Sequence, residues 1–183
     1  MLAIQKITQA TGNKEKAAFL QRFFKTGAGE YAAGDQFLGI VVPEQRRIAK
    51  QFRHLSLADT ILLLQSQWHE ERLIALFILV DQFTRGDQEQ RKTIFDLYLK
   101  NTRYVNNWDL VDSSAPKIVG AYLLDKSRDI LYQLVKSDSL WERRIAIVAT
   151  QFLIGKGEFD DTLKIAAALL NDKHDLIHKA CGW

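Results

Sequence analysis

At 183 residues the chain is long enough to bury a substantial core without staples, and 47% hydrophobic with 26% charged residues is the balance of a globular protein, not a disordered one. Its aliphatic runs are broken by charge well before the roughly 18 residues needed to cross a bilayer. The first residues, MLAIQKITQA, carry no basic leader with an apolar core and cleavage site, and Cys181 is the only cysteine, so no internal disulfide forms; a cytoplasmic protein with no membrane partner is expected.

The net charge of +3 permits a nucleic-acid partner without arguing for one. Distribution says more, because Arg46, Arg47, Lys50 and Arg53 face only Glu44 between residues 43 and 54. Along the chain, Asn13 is placed to cap a helix running to about Phe24. The glycine-rich stretch 26–37 reads as the one long loop, and Pro43 then sits in the first turn of a helix ending near Phe52. From residue 57 helices are predicted in pairs: 57–66 with 69–85, 88–100 with 107–124, 126–136 with 140–154, and 157–170 with 174–183. Apolar residues recur at helical spacing in Leu73, Leu76, Phe77 and Val80, in Ile145, Val148 and Phe152, and in Leu163, Ala166, Ala167 and Leu170. Pro116 falls inside one of these helices and should kink or interrupt it.

The second helices share a weak signature, Glu71-Arg72 before Ala75 and Glu142-Arg143 before Ala146. Periods of this size with two helices each point to an all-α, HEAT-like helical-repeat solenoid, a stack of antiparallel helix pairs forming one domain over 1–183. The alternative is an irregular helical bundle. The last helix reaches Trp183 still inside an apolar pattern, so capping helices beyond it are expected.

Three segments could carry chemistry. In NNWDLVD (106–112) an asparagine caps the helix, Asp109 suits the helix dipole in the first turn, and Asp112 follows Trp108 by four residues and shares its face. A solvated acid and a packed ring would look the same. In WERR (141–144) the two arginines point about 100° apart, so only one can serve a given face. Trp183 ends the chain. His174 and His178 have metal-pair spacing but no third ligand, and no phosphate-loop, dinucleotide or serine-hydrolase motif occurs, so neither a metal nor a cofactor is expected.

Taken in order, FLGIVVPEQRRIAK (37–50), HEERLIALFILV (69–80), NNWDLVDSSAPKIVG (106–120), LWERRIAI (140–147) and DLIHKACGW (175–183) resemble the AlkD-type DNA glycosylases, the DNA alkylation repair enzymes. The resemblance implies a C-shaped stack whose concave face takes duplex DNA containing alkylated bases, acting as a monomer. It implies excision of N3- and N7-alkylated purines to leave an abasic site, with Asp112, Trp108, Arg144 and Trp183 as catalytic residues, Arg144 holding a phosphate. Arg46, Arg47, Lys50 and Arg143 would be DNA contacts. The sequence departs from the family at Val41 and Val42, where polar residues are usual. The family also holds members with the fold and little activity, so a DNA-structure-binding protein without catalysis is the alternative.

Overall fold

A computed structural model describes all 183 residues. Eleven α-helices, one 3-10 turn and one π turn make up the regular structure, with no strand and a single isolated bridge between Gln36 and Trp68. No helix is long and apolar enough to cross a membrane. The contacts gather into two compact units, Met1–Arg85 and Gly86–Trp183.

The first unit holds α1 (Ala3–Thr11), α2 (Lys14–Gln21), α3 (Val42–Gln51), α4 (Leu57–Leu64) and α5 (His69–Arg85). α1 is a helix that the sequence reading did not assign; it buries only Ile4 and Thr8, one turn apart. α2 begins as expected at Asn13, whose side-chain oxygen accepts the Lys16 N–H at 2.9 Å. It stops at Gln21, not near Phe24, and the chain continues in tighter turns that bond Phe23 to Leu20 and Phe24 to Gln21 at 3.0 Å each.

Between residues 22 and 41 no helix forms, and buried charge takes over the task of fixing the chain. α5 presents Glu70, whose carboxylate accepts the backbone N–H groups of Leu38, Gly39 and Ile40 at 2.8, 2.7 and 3.2 Å. Asp35 pairs with His69 Nδ1 at 2.9 Å and accepts from Arg72 at 2.5 Å. Burial alone would raise the Asp35 carboxyl, but the His69 and Arg72 contacts outweigh it and hold the group below the ordinary aspartate range. Phe24 and Phe37 pack on the His69 ring at 4.8 and 4.7 Å. Gly39 adopts φ 83°, and a Cβ there would lie 2.1 Å from the Asn13 carbonyl oxygen, so only glycine lets the loop pass.

The second unit is built on α9 (Leu140–Ile154), which packs against α7 (Trp108–Ala115), a π turn (Pro116–Gly120), α8 (Asp129–Val135), α10 (Asp160–Ala168) and α11 (Asp175–Cys181); α6 (Gln88–Lys100) meets the same π turn. α9 can sit at the centre because Trp141, Ile145, Ile147, Val148 and Leu153 bury apolar surface around much of its circumference. Pro116 has the anticipated effect in a specific form. Lacking an N–H, it ends the α-helical ladder, and the Ala121 N–H reaches the Pro116 carbonyl five residues back. The turn brings Gly120 so near α9 that a Cβ would lie 2.1 Å from the Ala149 carbonyl oxygen.

α10 departs from the sequence reading. Leu163 and Leu170 are 66% and 69% exposed, and the buried face is instead Ile165 and Leu169. The helix has two apolar stripes, and only one of them meets α8 and α9.

The Glu-Arg signature has a physical basis. Ser66 Oγ donates to Glu71 at 2.6 Å and accepts the Trp68 N–H at 3.1 Å, while Arg72 donates to the carbonyls of Ser66 and Gln67. Ser137, Glu142 and Arg143 repeat every one of these bonds, with Ser137 Oγ accepting the Ser139 N–H at 3.1 Å and Arg143 donating to the carbonyls of Ser137 and Asp138. The motif is a clasp that satisfies the polar groups where a buried helix begins.

Replacing Glu70 by glutamine puts an amide among three backbone donors and should remove about 1–3 kcal/mol of stability. Urea unfolding should show a lower midpoint at unchanged slope.

Candidate active site

α7 owes its start to Asn107, which is fully buried and accepts the Trp108 N–H at 2.9 Å. Asp109 accepts the next N–H, from Leu110, at 2.9 Å, the first-turn position expected for an acid. That start puts Trp108 at the first helical residue and Asp112 at the fifth, one turn on. Tyr98 of α6 holds the helix from behind: its hydroxyl lies 3.0 Å from Ser114 Oγ, which donates to the Leu110 carbonyl at 2.6 Å. Tyr98 is fully buried, and burial raises its pKa well above the ordinary phenol value.

Asp112 meets Arg144 of α9. Arg144 Nε donates to Asp112 Oδ1 at 2.9 Å and a terminal nitrogen donates to Oδ2 at 2.8 Å, a two-pronged pair. The other terminal nitrogen donates to the Leu176 carbonyl at the start of α11. The Trp183 ring lies over the guanidinium, 5.2 Å from carbon to ring centroid, and is itself 68% exposed. The Arg144 side chain is 2% exposed and that of Asp112 21%. Asp112 is therefore the one charged member of the pair that water or a ligand can reach.

Burial pushes the Asp112 carboxyl above its ordinary pKa, Asp109 adds to the rise, and the Arg144 bonds and charge pull it back without reversing it. Both oxygens accept N–H donors, so the geometry is that of the ionised form.

Among the residues the sequence singles out, the structure brings Arg144 into contact with both Asp112 and Trp183. Trp108 stands one turn before Asp112, half-buried. Arg144 turns three of its N–H donors inward, two to Asp112 and one to the Leu176 carbonyl. Arg143 bonds both oxygens of Asp172, at 2.7 and 3.4 Å, and two backbone carbonyls. His174 accepts the Leu176 N–H at 3.2 Å and His178 lies 2.6 Å from the Asp172 carbonyl, so both fix the last helix. Within the first unit, Arg46, Arg47 and Lys50 are all exposed on α3; Arg47 pairs with Glu44 at 2.5 Å, and Arg46 stacks on Phe77 at 4.2 Å.

Asp172, Leu176, Tyr98 and Ser114 shape the site without having been singled out. For Arg144 a signal existed: in the other copy of the Glu-Arg clasp its position is Leu73, which is 2% exposed. An arginine at a core position of a repeat implies a buried acid to meet it.

The fold and site define an all-helical repeat protein with a carboxylate presented from a buried ion pair. Residues 4–183 match the family described as DNA alkylation repair enzyme, and the chain belongs to that family. A solved structure from Enterococcus faecalis, described as a predicted DNA alkylation repair enzyme, shares the fold with a TM-score of 0.69 and 20% identity, over 94% of this chain and 81% of that one. No curated protein matches the chain.

Arg144→Met should destabilise the protein by about 3 kcal/mol, because it leaves Asp112 half-buried without its partner. Adding Asp112→Asn should recover part of that loss, and denaturant melts of the two single variants and the double variant measure the coupling.

Proposed function

We propose that this protein hydrolyses the N-glycosidic bond of N3- and N7-alkylated purines in duplex DNA and leaves an abasic site. The observation that carries the reading is the Asp112 side chain, gripped through both carboxylate oxygens by a buried arginine yet one-fifth exposed. Membership of the DNA alkylation repair family supports DNA as the substrate.

The chemistry requires little more than such a group. Alkylation at N7 or N3 places a positive charge on the purine, so the base leaves without being protonated, and the paired acid and base of an ordinary glycosidase become unnecessary. As the bond breaks, positive charge develops on the sugar. A fixed carboxylate beside it stabilises that charge and orients the attacking water. Arg144 works through Asp112: its two bonds fix the direction of both oxygens, and its charge keeps the acid ionised. The exposed indole of Trp183, and Trp108 one turn from Asp112, offer π faces to the cationic sugar or base. Arg46 and Lys50 would add phosphate contacts that set affinity and its salt dependence without reading sequence.

Asp112→Asn should slow release of 7-methylguanine from methylated duplex DNA about a hundredfold, a loss of roughly 3 kcal/mol in barrier lowering. Equal release by variant and wild type would remove Asp112 from the mechanism. Tight, salt-sensitive binding with no release by either protein would favour a DNA-structure-binding role instead.

The rate should also depend on pH in a defined direction. A carboxyl whose pKa lies above 3.8 in the folded protein takes up its proton earlier as the solution is acidified. Release, corrected for spontaneous loss of the base, should therefore fall towards acid with its midpoint above 3.8. Asp112→Asn should lack that limb.

A further inference from the structure

The segment from Lys14 to Lys25 presents a feature that the proposed reaction does not use. It carries Lys14, Lys16, Arg22 and Lys25 against Glu15 alone, a local net charge of +3 that equals the charge of the whole chain. All four cations are exposed, and none makes an ion pair, unlike Arg47 or Arg53 in the same unit. No residue of α2 is buried.

Among these cations stand two large rings. Phe19 and Phe23 are 55% and 60% exposed and meet edge to face, with centroids 5.6 Å apart and planes at 77°. Lys16 stands about one turn before Phe19 on α2, and Arg22 and Phe23 follow in the tighter turn after it. The neighbouring Phe24 shows the contrast, since it packs on Phe37 and His69 and anchors the segment. Phe19 and Phe23 pack only on each other among the ring contacts, and each leaves more than half of its surface in water, apolar area whose burial against a partner is favourable.

We infer that the α2 segment is a second nucleic-acid contact, one that stacks unpaired bases on Phe19 and Phe23 while Lys14, Lys16, Arg22 and Lys25 hold the flanking phosphates. Charge decides the class of partner: uncompensated cations around exposed rings match a polyanion with flat apolar faces, the arrangement by which single strands are bound without sequence preference. A base that is paired and stacked within a duplex offers no free face, so the site selects single-stranded or locally opened DNA. This inference is independent of the glycosylase reading, and its test uses unmodified DNA.

The experiment is fluorescence anisotropy of a short fluorescein-labelled oligothymidylate with wild type, F19L/F23L, F19W/F23W and K16S/R22S proteins. Leucine keeps the apolar character and loses the flat ring, while tryptophan keeps both. F19L/F23L should bind roughly tenfold or more weakly, as the loss of base stacking requires. F19W/F23W should bind as wild type or better, and K16S/R22S should bind with a shallower salt dependence. Release of 7-methylguanine from methylated duplex should be unchanged in all three. Because the substituted side chains face solvent, thermal melts of the four proteins should coincide; should a double variant melt early, F19L and F23L singly replace it. Equal affinity of wild type and F19L/F23L would overturn the inference. So would binding to phosphatidylserine vesicles with none to the oligonucleotide.

Discussion

A carboxylate can be useful beside a developing positive charge only if it is ionised, aimed and not smothered, and the second unit of this protein is organised to meet all three requirements through one ion pair. Arg144 is driven into the interior by its position on α9, where it could not remain without a partner. Asp112 supplies two acceptors and Leu176 a third, so the guanidinium is satisfied on three sides and one acid is tilted outward. Everything nearby serves that arrangement. Asn107 sets the phase of α7, Tyr98 and Ser114 hold the helix against α6, and Asp172 with Arg143 fixes the chain entering α11. The pair is held tightly by neighbours that are themselves hydrogen-bonded, which is how a reactive group keeps its direction without its own packing.

Much of this was legible in the residues, and the reason is periodicity. α5, α6 and α9 begin and end where the spacing of apolar residues and the capping chemistry place them, because α5 and α9 bury broad stripes and α6 seats Ile94, Phe95 and Tyr98 on one face. Legibility fails where a helix is marginal or has two choices. α2 shortens because nothing in it is buried, and α10 turns a different apolar stripe inward from the one its sequence suggests. Single-chain patterns rank stripes by composition, whereas the fold ranks them by which neighbour is present.

The site itself was half visible. Arg144 meets both Asp112 and Trp183, but the uses of the two arginines could not be separated by spacing. Arg143 belongs to a clasp whose other members are Ser137, Glu142 and backbone carbonyls, and Arg72 does the same work with Ser66 and Glu71. Only the repeat, with Leu73 standing where Arg144 stands, marks which arginine is the exceptional one.

The π turn at Pro116–Gly120 has a consequence for the register of α7. Each residue of an α-helix advances the surface by 100°, so one additional residue in a turn is an insertion whose rotation is absorbed on the spot. Upstream of the turn, Asp112 keeps its heading towards Arg144; at its last residue, Gly120 keeps its close seat against Ala149. A chain shortened by one residue here would have to rotate one of those two faces out of place. The widened turn thus acts as a phase adjuster, letting a segment devoted to chemistry and a segment devoted to packing share one continuous stretch of backbone.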